Sequence, residues 1–334
     1  MMTIKDIANK AGVSIASVSR YFNNKSLLSS DTCLRIEKVV NEHNYIPNTL
    51  GRLNRISRSG KILVILPTIS NPIYQKILHA INTECRKYGY TVLTCTTNND
   101  NYIEKHLLTM LETYYADGVI FFSTTLNKTE LEQLNKKFPI VQCCEYVDAE
   151  ISGVTIDNET AVFEACTYLI KNGHSRIAMI SGMTDYGTTI SRENGYIKAL
   201  KEAEMTIKPE YLIRGQYGFS SGERAAKELL NLKKTEFPDA LVTISDAVAI
   251  GAAKKFLKNG VQIPGDISII GFDDTSMAAM YNPPLSSVKQ AREEMGKKAA
   301  ELLFERMESL KGKTRLIMLE HKLVIRESVK IMRK

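Results

Sequence analysis

The sequence of 334 residues predicts an all-α head joined by a hinge to an α/β body of two doubly wound parallel-sheet subdomains. Three observations predict this. Residues 1–61 hold 10 Lys and Arg against 4 Asp and Glu, a net +6, while the remaining 273 hold 34 against 33, or +1. The same basic segment shows short stretches of helical spacing broken by a glycine. From Lys61 onward, short apolar runs alternate with amphipathic segments, in two successive series. Alternating strands and helices imply parallel sheets covered on both faces. Two series over that length exceed one doubly wound core and fit two. The boundaries expected are 1–46 for the head, 47–60 for the hinge and 61–334 for the body.

Thr3-Ile4-Lys5-Asp6 opens the head as a helix start, with Thr3 able to cap and Asp6 three residues on. Ile4, Ile7, Ala8 and Ala11 recur at i, i+3, i+4 and i+7, one face of a helix. Gly12 stops that helix and permits a tight turn. Ser14 is the next N-cap, and Val18 and Phe22 give a short apolar stripe. Ser29 begins a third helix with Ile36, Val39 and Val40 inside. Three short helices with a glycine turn between the first two read as a helix-turn-helix. The second is then the reading helix. Its Ser14, Ile15, Ala16, Ser17 and Ser19 include small side chains that allow close approach to a groove and hydroxyls that bond phosphates. Arg20 has the fork that matches guanine O6 and N7, worth about 1–3 kcal/mol of base discrimination. In an isolated helix Ile15, three before Val18, would read as core and Arg20 as merely solvated. The charge concentration favours duplex DNA instead.

In the body, the first series of strands is Ile62–Leu66, Thr91–Thr94, Val119–Phe122, Ile140-Val141 and Val154–Ile156. The second is Ile177–Ile180, Tyr211–Ile213, Leu241–Ile244 and Ile267–Ile270. Ligands of such sheets bind beyond the carboxyl ends of strands. There the sequence places Asn71-Pro72-Ile73-Tyr74, Ser123-Thr124, Asp246 and Asp273-Asp274. Acids, hydroxyls and tyrosines converging on one cleft suit a polyhydroxylated ligand. Each has a plainer reading too: a tyrosine can be packing, and Asp246 can be an N-cap.

The head resembles the start of a LacI–GalR family repressor, through Ile4-Lys5-Asp6-Ile7-Ala8, Ala11-Gly12-Val13-Ser14, Val18-Ser19-Arg20, Asn23 and Tyr45-Ile46-Pro47-Asn48. The likeness continues in Ser191-Arg192-Glu193-Asn194-Gly195-Tyr196, Asp246–Gly251, Ile270-Gly271-Phe272-Asp273-Asp274 and Pro283–Val288. The resemblance implies a body like the type I periplasmic binding proteins, with subdomains of roughly 61–157 plus 290–319 and 158–289 plus 320–330. It implies a homodimer, or a tetramer built from dimers, on palindromic double-stranded operator DNA. It also implies a small effector: a sugar, sugar phosphate or nucleoside. By position, Ile15, Ala16 and Arg20 would face bases and Lys5, Ser14 and Ser19 would lie near the backbone or groove edge, with Ser17 and Asn23 completing the DNA-binding set. Ile73, Tyr74, Thr124, Arg192, Tyr217, Asp246 and Asp273 would line the effector cleft, and Glu145 or Tyr146 would close it. Tyr186 stands where base-binding relatives carry arginine, which argues against a purine base.

The hinge departs from the family pattern. Family members carry Ala-Arg-Ser-Leu, whose leucine wedges into the minor groove; this chain has Gly51-Arg52-Leu53-Asn54. Displacement by one position turns Leu53 by about 100° around a helix. Leu53 and Ile56 are the two candidate wedges, and Asn48, Arg52 and Arg55 would touch DNA. Cytidine-repressor-like members lose the same pattern.

Other chemistries lack residues. The opening residues show no apolar leader, and no later run approaches membrane-spanning length, so a soluble cytoplasmic protein is expected. The six cysteines have no C-x-x-C spacing, and adjacent Cys143 and Cys144 read as a poor chelating pair. The five histidines are scattered. No metal site, cofactor or catalytic residue is expected. A transporter's solute-binding protein would have an export signal and no basic head. A sugar- or nucleotide-processing enzyme would turn its ligand over.

Overall fold

The computed structural model describes residues 4–43, 58–183 and 187–331, in two compact units, residues 1–59 and 60–334. In the first unit, α1 (Ile4–Ala11), α2 (Ile15–Asn23) and α3 (Ser30–Glu42) surround Ile7, Ala8, Ala11, Val18, Tyr21, Ile36 and Val39. Gly12 joins the first two helices at φ +64°, a left-handed conformation that glycine adopts without steric cost. Ser14 and Ser29 cap α2 and α3, accepting from the backbone N–H of Ser17 and Thr32. The inner face of α2 is Val18 with Tyr21; Phe22, the expected partner of Val18, is only half-buried. Thr3 lies outside the described residues.

The second unit holds two six-stranded sheets, ordered β11-β5-β4-β3-β1-β2 and β12-β10-β9-β8-β6-β7. The first contains β1 (Lys61–Leu66), β2 (Thr91–Thr96), β3 (Gly118–Phe121), β4 (Ile140–Cys143), β5 (Ser152–Ile156) and β11 (Leu316–Leu319). The second contains β6 (Ile177–Gly182), β7 (Leu212–Gly215), β8 (Ala240–Thr243), β9 (Ser268–Asp273), β10 (Ser286–Gln290) and β12 (His321–Val324). All pairings are parallel except β10 with β12. The central strands are buried throughout, as expected of sheets covered on both faces.

The helices between strands are α4 (Ile73–Lys87), α5 (Asn101–Glu112), α6 (Lys128–Lys137), α7 (Asn158–Lys171), α8 (Gly187–Glu202), α9 (Phe219–Leu230), α10 (Asp246–Lys258), α11 (Ser276–Met280) and α12 (Arg292–Glu308). The chain passes from one sheet to the other three times: between β5 and α7, between β10 and α12, and between β11 and β12. The strands β10 to β12 lie outside the apolar runs of the sequence. β10 is rich in serine and polar residues, β11 alternates exposed with half-buried positions, and β12 is half-buried except at Lys322.

Candidate functional site

On the head, the capped N-terminus of α2 presents Ser14, Ile15, Ala16 and Arg20 to solvent, with Ser17 and Ser19 half-buried beside them and Lys5 exposed on α1. Ile15 is 47% exposed, so the plainer reading of it as core is wrong. Val18 and Tyr21 fill the inner face and leave Ile15 on the outer one. Asn23 ends the helix; its side chain, and Asn48, Arg52, Leu53 and Arg55, fall outside what is described.

In the body, one cavity of about 560 Å³ opens between the carboxyl ends of the two sheets. The loops after β1, β2, β3 and β4 supply Asn71, Ile73, Tyr74, Asn98, Asn99, Ser123, Cys144 and Glu145 on one side. The loops after β6 and β7, helix α8, and the ends of β9 and β10 supply Met183, Gln216, Tyr217, Arg192, Asp273 and Gln290 on the other. This is the crevice that parallel α/β sheets offer to ligands.

Arg192 is 5% exposed and held rigidly: Nε donates to Asn158 Oδ1 at 2.9 Å and an Nη to the Ile244 carbonyl at 2.8 Å. Its guanidinium lies 3.7 Å from the Phe272 ring centroid. Asp273 accepts from Gln290 Nε2 at 2.7 Å. Both Asp273 and Asp274 adopt left-handed backbone, φ +106° and +47°, a strain that persists only where surroundings impose it. Here Ser287 Oγ accepts from the Asp274 N–H at 3.0 Å and Arg292 donates to the Asp274 carbonyl at 2.6 Å. Burial pushes the Asp273 carboxyl up to about 8; Asp246 adds to this and Arg192 opposes it.

Glu145 is reached across the cavity by the hydroxyl of Thr188, at the start of α8. Burial raises its carboxyl too, against the pull of Arg192. Beside this bridge Tyr146 packs on Gly187, where a Cβ would come within 2.9 Å of the Tyr146 carbonyl oxygen. Tyr74 tilts against Phe122 with centroids 5.1 Å apart, and the Tyr217 hydroxyl lies 3.2 Å from Thr189 Oγ1.

The cavity thus gathers Ile73, Tyr74, Glu145, Arg192, Tyr217 and Asp273 of the expected residues. Thr124 does not line it. It is buried and donates to the fully buried Glu104, which also accepts from Thr125, so it ties α5 to the loop after β3. Asp246 does not line it either. It is 1% exposed and accepts from Ser287 Oγ at 2.6 Å, Thr275 N at 2.6 Å and Thr275 Oγ1 at 2.9 Å. Nor is it the N-cap of α10, which is Ser245. A Cβ on Gly271 would stand 2.5 Å from Asp246 Oδ1, so glycine admits this buried carboxylate. Tyr146 borders a smaller recess, with Thr124 and Glu145, and Tyr186 lies outside the described residues. Sequence reasoning missed Asn158, Thr188 and Gln290. Asn158 and Thr188 sit in the first turns of helices, where polar residues are routine, and Gln290 ends a strand that carries no apolar run.

Among the described residues no three His, Cys, Asp or Glu side chains gather as a metal centre, and no helix is long and apolar enough to cross a membrane. Residues 3–48 match the model described as bacterial regulatory proteins, lacI family, and residues 166–329 match the periplasmic binding protein-like domain. Over 330 residues the chain is 34% identical to the HTH-type transcriptional repressor CytR of Escherichia coli, covering 98% of this chain and 96% of that one. Over 332 residues it is 32% identical to the HTH-type transcriptional repressor PurR of Aliivibrio fischeri, covering 98% of both. Among solved structures, the complex of the transcriptional regulator CelR with cellobiose aligns at a TM-score of 0.74 and 27% identity, over 98% of this chain and 100% of that one.

Proposed function

The chain belongs to the LacI family of bacterial transcriptional regulators, and from that premise we propose that it is a cytoplasmic repressor, a homodimer on a palindromic operator, modulated by a small sugar-like effector. The observation that carries this reading is the likeness to two HTH-type repressors over 98% of the chain, head and body together. Two copies of α2 would enter successive major grooves, with Ile15, Ala16 and Arg20 toward bases and Lys5, Ser14, Ser17, Ser19 and Asn23 at the backbone or groove edge. The hinge residues Asn48, Arg52, Leu53 and Arg55 would add contacts to the DNA between them.

The effector would sit in the cavity between the sheets, and a structural neighbour, the regulator CelR, is one that takes a sugar, cellobiose. Two carboxyls, the half-buried Glu145 and the buried Asp273, face one arginine whose Nε and one Nη are already engaged. This balance favours a neutral sugar or nucleoside over a sugar phosphate, because among the described lining residues Arg192 is the one cation and its guanidinium is already engaged. Hydroxyls of such a ligand would bond Asp273, Arg192 and the asparagines, and the tyrosines would cover its ring. Contacts to both walls favour the closed arrangement bridged by Glu145 and Thr188. A ligand shifts the operator-binding equilibrium only by its differential affinity for the two states. No chemical turnover is proposed.

The test is operator binding by the full chain, followed by fluorescence anisotropy, with a thermal-shift screen of sugars, nucleosides and their phosphates. The expected result is one neutral ligand that raises the melting temperature and changes operator affinity. Removal of residues 1–60 should abolish DNA binding and keep that thermal shift. Turnover of the ligand, or no DNA binding by the full chain, would overturn the reading.

A further inference from the structure

Cys143 and Cys144 are neighbours at the end of β4. In a regular strand their thiols would point to opposite faces. They do not, because Cys144 is in the left-handed region at φ +75°. The two sulfurs lie 3.9 Å apart, and Cys144 Sγ is 3.4 Å from Met295 Sδ on α12. Left-handed backbone at a non-glycine residue costs of order 1–3 kcal/mol, which ordinary packing of a small thiol does not require. It is held by the Cys144 N–H on the Val154 carbonyl at 3.0 Å and by Thr155 Oγ1 on the Cys144 carbonyl at 2.8 Å. Cys143 and Met295 are fully buried, whereas Cys144 is half-buried and lines the cavity, so the cluster has an entrance.

We propose that Cys143, Cys144 and Met295 form a site for a soft monovalent metal ion of the Cu(I) class, entered from the cavity. Two thiolates and a thioether are the donor set that soft ions select. An ion about 2.3 Å from each sulfur, the usual metal–thiolate length, sets neighbouring sulfurs about 4 Å apart, close to the 3.9 Å between the two thiols. Binding displaces the two thiol protons to solvent, so the ion with two thiolates carries a net charge of −1. Contact with Cys143 and burial hold the Cys144 thiol up, with Glu145 and Asp273 nearby adding to this, so the ion must compete with protons. The inference does not depend on the identity of the effector, and it is read by metal binding alone.

The experiment titrates the reduced full chain, without oxygen, with Cu(I) held by a chromophoric chelator, and repeats this for Cys144→Ser, Cys143→Ser and Met295→Leu. One tightly held ion per chain is expected. Either serine variant should weaken it by more than the roughly 10- to 100-fold that loss of an outer-shell partner costs a metal site. Met295→Leu conserves volume and leaves the fold intact, and it should weaken binding about tenfold while melting as the native chain does. Retention of full affinity by Cys144→Ser would overturn the site, since the other cysteines would then be the ligands. Equal affinity for Zn(II) would overturn the assignment to soft monovalent ions.

Discussion

The reading helix and the cavity deploy polar chemistry in opposite ways. On α2 most of the groups that would meet DNA stand on an exposed face, and apart from the Ser14 cap the head folds around Ile7, Val18, Tyr21 and Ile36 without their help. In the cavity Arg192 and Asp273 are 5% and 3% exposed, and each is built into the fold. Exposed chemistry leaves folding almost untouched and acts in competition with solvent and salt, which suits a partner offering many phosphates. Buried chemistry costs desolvation and, at Asp273 and Asp274, backbone strain. In return it is preorganised for a ligand that presents only a few polar groups.

The largest expected effect would break the comparison within the body itself. Asp246 follows β8 and Asp273 ends β9, neighbouring strands of the same sheet, yet only Asp273 lines the cavity. Asp246→Ala leaves the Thr275 N–H and two hydroxyls without their acceptor. It should destabilise the body by about 3 kcal/mol in urea unfolding. A normal midpoint with lost effector response would make Asp246 a ligand residue instead.

Asp273→Ala should do the reverse, weakening the effector about 100-fold, or about 2.7 kcal/mol, with operator binding kept. Calorimetry with the ligand found by thermal shift checks it. The same carboxyl sets a pH dependence. Its folded value is about 8 against an ordinary 3.8, so between those values the unfolded chain ionises while the folded chain keeps its proton. The unfolded state binds fewer protons there, and stability falls as pH rises from about 4 to about 8. Asp246, raised by the same burial, contributes with the same sign. Asp273→Asn, which tolerates positive φ, should flatten part of that slope; an unchanged slope would remove Asp273 from its origin.

These two acids also show what the sequence made legible. Period and punctuation placed three head helices and nine of the twelve strands among the described residues, because those elements are written in local apolar spacing. The polar strands β10 to β12 were not so written; their pairing supplies what their residues do not. At the site, position after a strand singled out Asp246 and Asp273 alike. Only the fold distinguishes them, because Thr275 and Ser287 close over one and leave the other open. Thr124 turned inward for the same reason, captured by Glu104 twenty residues earlier in the chain. Thr188 and Gln290 become functional candidates only by standing opposite acids that are remote in sequence.

On the head, Arg20→Ala should relax preference at one operator position by about 2 kcal/mol, whereas Lys5→Ala should weaken all sequences alike and lower the salt slope by about one unit. Competition of the full chain between operator and single-base variants separates the two. A uniform loss in Arg20→Ala would move that residue from base reading to phosphate binding.

The smallest effect tests whether exposed chemistry is independent of the fold even at Ser14, where the two meet. Its Oγ accepts from the Ser17 N–H at 3.0 Å, so it caps α2 and also faces solvent. Replacing a serine cap by alanine costs about 1 kcal/mol, but by glycine only a few tenths. If Ser14 serves only as a cap, Ser14→Gly should bind operator nearly as the native chain does, and Ser14→Ala should bind several-fold more weakly. If its hydroxyl also bonds a phosphate, both variants lose that bond and weaken together on every sequence. Anisotropy titrations of the two variants at two salt concentrations decide between these outcomes. We expect the second, because the cap uses the Oγ as an acceptor and leaves its O–H, within 2.9 Å of Ser17 Oγ in the free protein, able to turn and donate to a phosphate oxygen.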